Sequence, residues 1–198
     1  MRTDVYLAML TFCFVSGVTP GPNNLMLMTS GVNFGFRRTL PHLVGVVLGF
    51  TLMVALIGFG LSAVFARFPV LLPAMRYLGA AYMLWLAWKI ANSGTVHDGE
   101  RRGAPLGFFG AVAFQWINPK GWVMALSALT AYAVVDNYAR NVVIVALTYF
   151  LVAVPSSGVW AALGASMRRA LADPRVARWF NWTMAALLAA SIVTVFVE

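Results

Sequence analysis

Lys120 is the only cation set deep in an apolar, helix-length run, and it directly follows a proline in the stretch FQWINPKGW. A second stretch, TPGPNN at 19–24, places two prolines, a glycine and two asparagines inside a run with no Asp, Glu, Lys or Arg from 5 to 36. Proline has no N–H, so Pro20 and Pro22 strip the carbonyls of Ser16 and Val18 of their helical donors, and Pro119 does the same to Gln115. Freed carbonyls at membrane depth are tolerated only where protein buries them or a wet cavity receives them. Gly21 admits close approach of chain or ligand. Asn23 and Asn24 restart the helix as capping residues whose amides and neighbouring N–H groups can hold a carboxylate. Lys120 would neutralise that carboxylate, and an intramembrane ionisable group is a functional candidate by default. Gln115, Asn23, Asn24 and the freed carbonyls would take an ammonium. Together these groups suit a zwitterion.

Each feature also has a plainer reading. A single proline commonly does no more than kink a membrane helix. Lys120 could instead snorkel to an interface or pair with Asp136 or Asp4. Asn118 could simply cap a half-helix, with Pro119 and Gly121, like Pro20, Gly21 and Pro22, marking a helix break or hinge. What favours the ligand reading is duplication: Pro119 follows Pro20 at half the chain length, and polar–Pro followed by Gly and an apolar tail occurs in both places. Pro155, in VPSSGVW, reads as a further helix break, with Ser156 and Ser157 free to rescue the carbonyl of Leu151 or to line a path.

The elements that must position these groups are membrane helices. Of 198 residues, 61% are hydrophobic and only 10% charged, with a mean hydropathy of +0.81; a soluble domain of this size would expose far more charge. Runs without Asp, Glu, Lys or Arg also cover 39–66, 141–167 and 179–197, each long enough to cross a hydrocarbon core of roughly 30 Å. The expected fold is all-α and integral to the membrane, with six helices at 4–28, 40–64, 70–91, 106–131, 141–165 and 178–196. The N-terminal helix reads as retained, since Asp4 and the lack of a small-x-small site argue against a cleaved signal. The polar stretch NSGTVHDGERRGAP at 92–105 would be a cytoplasmic connector between two three-helix halves, repeat one at about 1–91 and repeat two at about 106–198, within one transporter domain.

Three helices per half insert in opposite directions, the inverted-repeat design of many secondary transporters. Pro20 then lies roughly 24 Å from one face and Pro119 roughly 20 Å from the other at ~1.5 Å per residue, so the breaks can meet in the interior. Basic residues crowd one side: Arg37, Arg38, Lys89, Arg101, Arg102, Arg168, Arg169, Arg175 and Arg178, against Arg2, Arg67, Arg76 and Arg140 on the other. The positive-inside rule therefore places both termini outside. The net charge of +8 is thereby read as topology and contact with anionic lipid, and nucleic-acid binding is disfavoured.

One cysteine, Cys13, and two histidines, His42 and His97, give no disulfide framework, thiolate cluster or bis-histidine haem. No GxSxG elbow is present. The expectation is no enzyme, no cofactor and no metal. The pairs Gly17/Gly21, Gly31/Gly35 and Gly45/Gly49 have the GxxxG spacing of close helix packing or of a homodimer contact. Rival functions are a passive channel and an assembly partner that merely carries helix breaks.

TPGPNNLM, GFRR, RYLGAAYMLWLAWKI and INPKGW together resemble the LysE/RhtB superfamily of bacterial amino-acid exporters over residues 19–164. Asn23 and Asn24, with GFRR at 35–38 and WLAWKIANS at 85–93, look most like the branch exporting cysteine and O-acetylserine. The resemblance implies efflux of a small neutral or modified amino acid across the bacterial inner membrane, with protons as the coupling partner. It carries the first motif to Pro20, Gly21, Pro22, Asn23 and Asn24, and the second to Asn118, Pro119 and Lys120. Some members have an acidic residue in helix five; here the corresponding stretch is AVPSSGVW, so no proton-carrying carboxylate is legible.

Overall fold

The computed structural model describes residues 2–61, 67–68, 70–92, 104–133, 137–168 and 170–192. The connector from 93 to 103, with His97, Asp98 and Glu100, lies outside the described residues, as does Asp136. The described chain forms eight α-helices: α1 Thr3–Val18, α2 Pro22–Phe34, α3 Phe36–Leu56, α4 Leu71–Ala91, α5 Phe108–Gln115, α6 Pro119–Tyr132, α7 Tyr138–Met167 and α8 Pro174–Ala190.

The first expected helix is two. α1 stops before Pro20 and α2 starts at Pro22, with a bend of 50° between them. α2 then runs on to Phe34 and is joined directly to α3 through Gly35, whose φ of +79° is open to glycine at little cost. The expected start of the next helix at 40 is accordingly too late: Arg37 and Arg38 sit in the first turn of α3. α3 ends in a π-helical turn, Ile57–Leu61, with Gly60 at φ +126°. The fourth expected helix also divides, into α5 and α6.

Pro155 does not break its helix; α7 runs through it for 30 residues. One missing N–H costs one hydrogen bond, whereas Pro20 and Pro22 remove two donors within three residues around a flexible glycine. Pro155 is also exposed, away from the packed face.

Apolar side chains point outward in rows. α3 exposes Leu40, Val44, Leu48, Leu52 and Leu56, and α7 exposes Val143, Leu147 and Leu151, each row at the four-residue spacing of one helix face. Phe36–Gly60 and Tyr138–Met167 are each long and apolar enough to cross a membrane, and Thr3–Val18 with Pro22–Phe34 passes the same test as one bent pair. Leucine rows of this length facing out suit lipid and not water. The regular structure of the described residues is all helical, and the chain is a membrane protein.

Inside, α7 is the central post, packed on α2, α3 and α1; α3 also seats α5, and α4 pairs with α8. One apolar core joins α1, α3, α6 and α7 around Met9, Met53, Leu129 and Tyr149. A second joins α2, α4, α5 and α8 around Met26, Met83, Phe114 and Leu188. Of the glycines expected to mediate close packing, Gly31, Gly45 and Gly49 do so within the chain, whereas Gly17, Gly21 and Gly35 meet only side chains. A Cβ at Gly49 would lie 2.8 Å from Val112 Cα, and one at Gly45 would meet the Phe108 carbonyl, so α5 rests on the backbone of α3. α2 and α7 touch in the same way through Gly31 and Gly164.

Candidate functional site

The α1–α2 break creates an accounting problem, because the last carbonyls of α1 need donors. Every one from Ser16 to Pro20 has found one. Thr19 Oγ1 donates to Ser16 O at 2.9 Å. Gly17 O accepts from Asn24 Nδ2 at 2.9 Å and from Ser156 Oγ at 3.0 Å. Val18 O accepts from Trp160 Nε1 at 3.2 Å. Thr19 O accepts from Asn24 Nδ2 at 3.0 Å and from Lys120 Nζ at 2.7 Å, and Lys120 Nζ also reaches Thr19 Oγ1 at 3.0 Å and Pro20 O at 3.3 Å. The negative end of α1 is thus held by a cation from the other broken helix, a favourable pairing with the helix dipole.

Asn23 and Asn24 do not cap α2. Its N-cap is Gly21, with Pro22 in the first helical position and no side-chain cap. Proline at that position has no N–H to satisfy, which leaves the two amides for other work. Asn24 turns back to α1, as above. Asn23 crosses to Gln115 at the end of α5, donating to Gln115 Oε1 at 2.8 Å and accepting from Gln115 Nε2 at 3.2 Å. Gln115 is fully buried and its second amide hydrogen goes to Ala111 O at 2.9 Å. Both broken helices are therefore tied together twice, by Asn23–Gln115 and by Lys120 on the α1 carbonyls.

Between these ties lies a cavity with about 520 Å³ of free space including its open mouth. Of the residues expected to bind a ligand, Asn23, Asn24, Asn118 and Lys120 line it together with Gly21, Pro22 and Gly121; Gln115 does not. Val46, Phe50, Met124 and Val152 supply an apolar wall, and Ser156, Ser157 and Tyr149 face in from α7. Tyr149 donates to Met124 O at 3.0 Å. Pro155 is absent from the lining. No local signal marks Thr19 or Trp160 as partners of the break, and Ser156 serves Gly17 and not Leu151.

Two features of the cavity are open. α2 and α6 both begin there, at Gly21 and Asn118, and neither start carries a side-chain cap, so the first-turn N–H groups of Asn23, Asn24, Lys120 and Gly121 lack intrahelical acceptors. In addition, Asn118 Oδ1 is buried without a hydrogen-bond partner. Thr29 Oγ1 and both ring nitrogens of His42 share that condition, but neither residue lines the cavity. Among the described residues no carboxylate lines it. Asp4, one alternative partner for Lys120, is paired with Arg2 at 2.9 Å, and among the described residues no group of three or more His, Cys, Asp or Glu side chains is placed to hold a metal.

Comparison with known proteins decides the family. The family description "LysE type translocator" matches residues 14–196. The chain belongs to the LysE family. Among curated relatives of this LysE chain, the cysteine/O-acetylserine efflux protein of Klebsiella pneumoniae subsp. pneumoniae is 33% identical over 100% of both chains. The cysteine/O-acetylserine efflux protein of Escherichia coli is 32% identical over 99% of this chain and 100% of that one. The protein of the same name from Salmonella typhimurium is 32% identical over 96% of each. No solved structure matches the LysE chain.

Proposed function

We propose that this LysE protein exports a small neutral amino acid or derivative, of the cysteine and O-acetylserine kind, out of the cytoplasm across the inner membrane in exchange for protons. The observation that carries the reading is the cavity where the two broken helices meet: it offers uncapped helix starts, a partnerless amide oxygen and helix-end carbonyls side by side. Full-length similarity to cysteine/O-acetylserine efflux proteins supports the same class of cargo.

In this reading the substrate carboxylate sits at the starts of α2 and α6, where N–H groups and the positive dipole ends favour an anion. Its ammonium takes Asn118 Oδ1 and the carbonyls of Thr19 and Pro20, which stand just outside the lining and are reached from it by Lys120. The side chain lies against Val46, Phe50, Met124 and Val152. A dibasic amino acid is disfavoured, because its second cation would join Lys120 in a wall without an acid. The six-span inverted repeat, with both termini outside and basic loops in the cytoplasm, supplies the moving parts: one half rocks against the other around a fixed central site.

Inside-out membrane vesicles test this. With an acid interior, uptake of labelled cysteine or O-acetylserine is expected to saturate, and lysine uptake to be absent. Asn118→Ala, which removes the open acceptor, is expected to raise KM about tenfold with the same amount of inserted protein. Absence of saturable uptake of any amino acid by correctly inserted protein would overturn the exporter reading.

A further inference from the structure

Proton exchange needs a group that carries the proton, and the cavity has no carboxylate for it among the described residues. Asp4 is exposed and engaged by Arg2, and Asp173 accepts from the backbone N–H of Arg175 at 2.7 Å at the start of α8. The titratable side chains in the wall are Lys120 from α6 and Tyr149 from α7; α1, α2 and α3 contribute none. Cys13 on α1 and His42 on α3 are buried outside the lining. Lys120 is half-buried, and it donates to three uncharged oxygens of the α1 break. A substrate ammonium has the same donor chemistry as that lysine ammonium. Thr19 and Pro20 stand just outside the lining, and a Cβ at Gly21, which belongs to it, would lie 2.6 Å from Lys120 Cδ, so the lysine stem runs past Gly21 from the cavity to these carbonyls. Two cations cannot share them without an acid nearby.

We propose that Lys120 is the proton carrier of this exporter: its ammonium and the ammonium of the substrate are alternative occupants of the Thr19 and Pro20 carbonyls. The inference rests on the exporter reading above. When a zwitterion enters from the cytoplasm and takes the carbonyls, an Nζ–H bond of Lys120 breaks. The proton passes to water at the cavity mouth, and the electron pair stays on Nζ. After the site turns outward and releases the amino acid, Nζ takes a proton from external water, and the ammonium returns to the carbonyls. Proton-bound and substrate-bound forms then exclude each other, as an antiporter requires. The outward leg carries a neutral site and the return leg a positive one, so about one proton and one charge enter per substrate exported.

The test uses the purified full chain with O-acetylserine as probe. In weakly buffered detergent solution at neutral pH, the wild type is expected to release about one proton per O-acetylserine bound. In proteoliposomes with an interior about one pH unit more acid, it is expected to accumulate substrate up to about tenfold. Lys120→Met is expected to stop at about equal concentrations, with whatever counterflow it keeps insensitive to pH. Gradient-driven accumulation by Lys120→Met, or binding to wild type without proton release, would overturn the proposal. If Lys120→Met is inactive in every flux assay, proton release by wild type decides in either direction. Absence of wild-type counterflow would instead sink the exporter reading itself.

Discussion

Gly164→Ala is expected to leave little folded protein, whereas Gly158→Ala on the same helix is expected to be neutral or slightly stabilising. A Cβ at Gly164 would collide with the Met28 carbonyl and come within 2.8 Å of its carbon and 3.0 Å of its Cα. On the other side, a Cβ at Gly31 would collide with the Ala161 carbonyl and approach Ala165 N at 3.0 Å. These neighbours are backbone, which cannot turn aside as a side chain can, so α2 must separate from α7. Overpacking of that kind costs about 3 kcal/mol or more, and here it also carries α2 away from the α1 break whose carbonyls Asn24 serves. Gly158 has nothing within 4 Å of the Cβ position, and alanine in a helix interior is favoured over glycine by roughly 0.5–1 kcal/mol. Yield of monodisperse protein and its unfolding midpoint in detergent measure both. Equal stability of Gly164→Ala and wild type would mean that the two helices do not meet backbone to backbone.

Much of this site could be read in the sequence, because proline chemistry is local. That Pro20, Pro22 and Pro119 would interrupt helices and free carbonyls follows from the missing N–H, and the same logic brought Asn118 and Lys120 into the candidate site. What could not be read is who satisfies the freed groups. Lys120 lies 101 residues from Thr19, Ser156 139 from Gly17 and Trp160 142 from Val18, and no local pattern pairs them. The same gap explains the roles of the asparagines. Local rules make Asn23 and Asn24 caps, but with Pro22 at the helix start they turn to Gln115 and to α1. Helix ends suffered from a second cause. Arg37 and Arg38 read as loop residues, yet a glycine at positive φ is enough to join α2 to α3 with no loop between them. Pro155 shows the converse, a breaker that fails where its helix is held on both sides of it by packing.

The Asn23–Gln115 pair gives the other large effect, and it is expected in stability and transport differently. Gln115→Leu leaves the Asn23 amide facing an apolar side chain with neither of its two bonds, and Asn23→Leu leaves the fully buried Gln115 with an unpaired Oε1 and only its bond to Ala111 O. Stranding a buried amide costs about 1–3 kcal/mol, while removing both partners together can be nearly neutral. The double variant Asn23→Leu/Gln115→Leu is therefore expected to unfold within about 1 kcal/mol of wild type, well above either single variant. Its counterflow is expected to stay low. Asn23 lines the cavity, so leucine there takes space from a ligand, and the clasp that registers the start of α2 against the end of α5 is gone. Unfolding midpoints and counterflow rates of the four proteins make one thermodynamic cycle. Additive losses in the double variant would show that the two amides do not depend on each other. Recovery of stability together with full transport would show that the clasp holds the fold but has no part in moving the cargo.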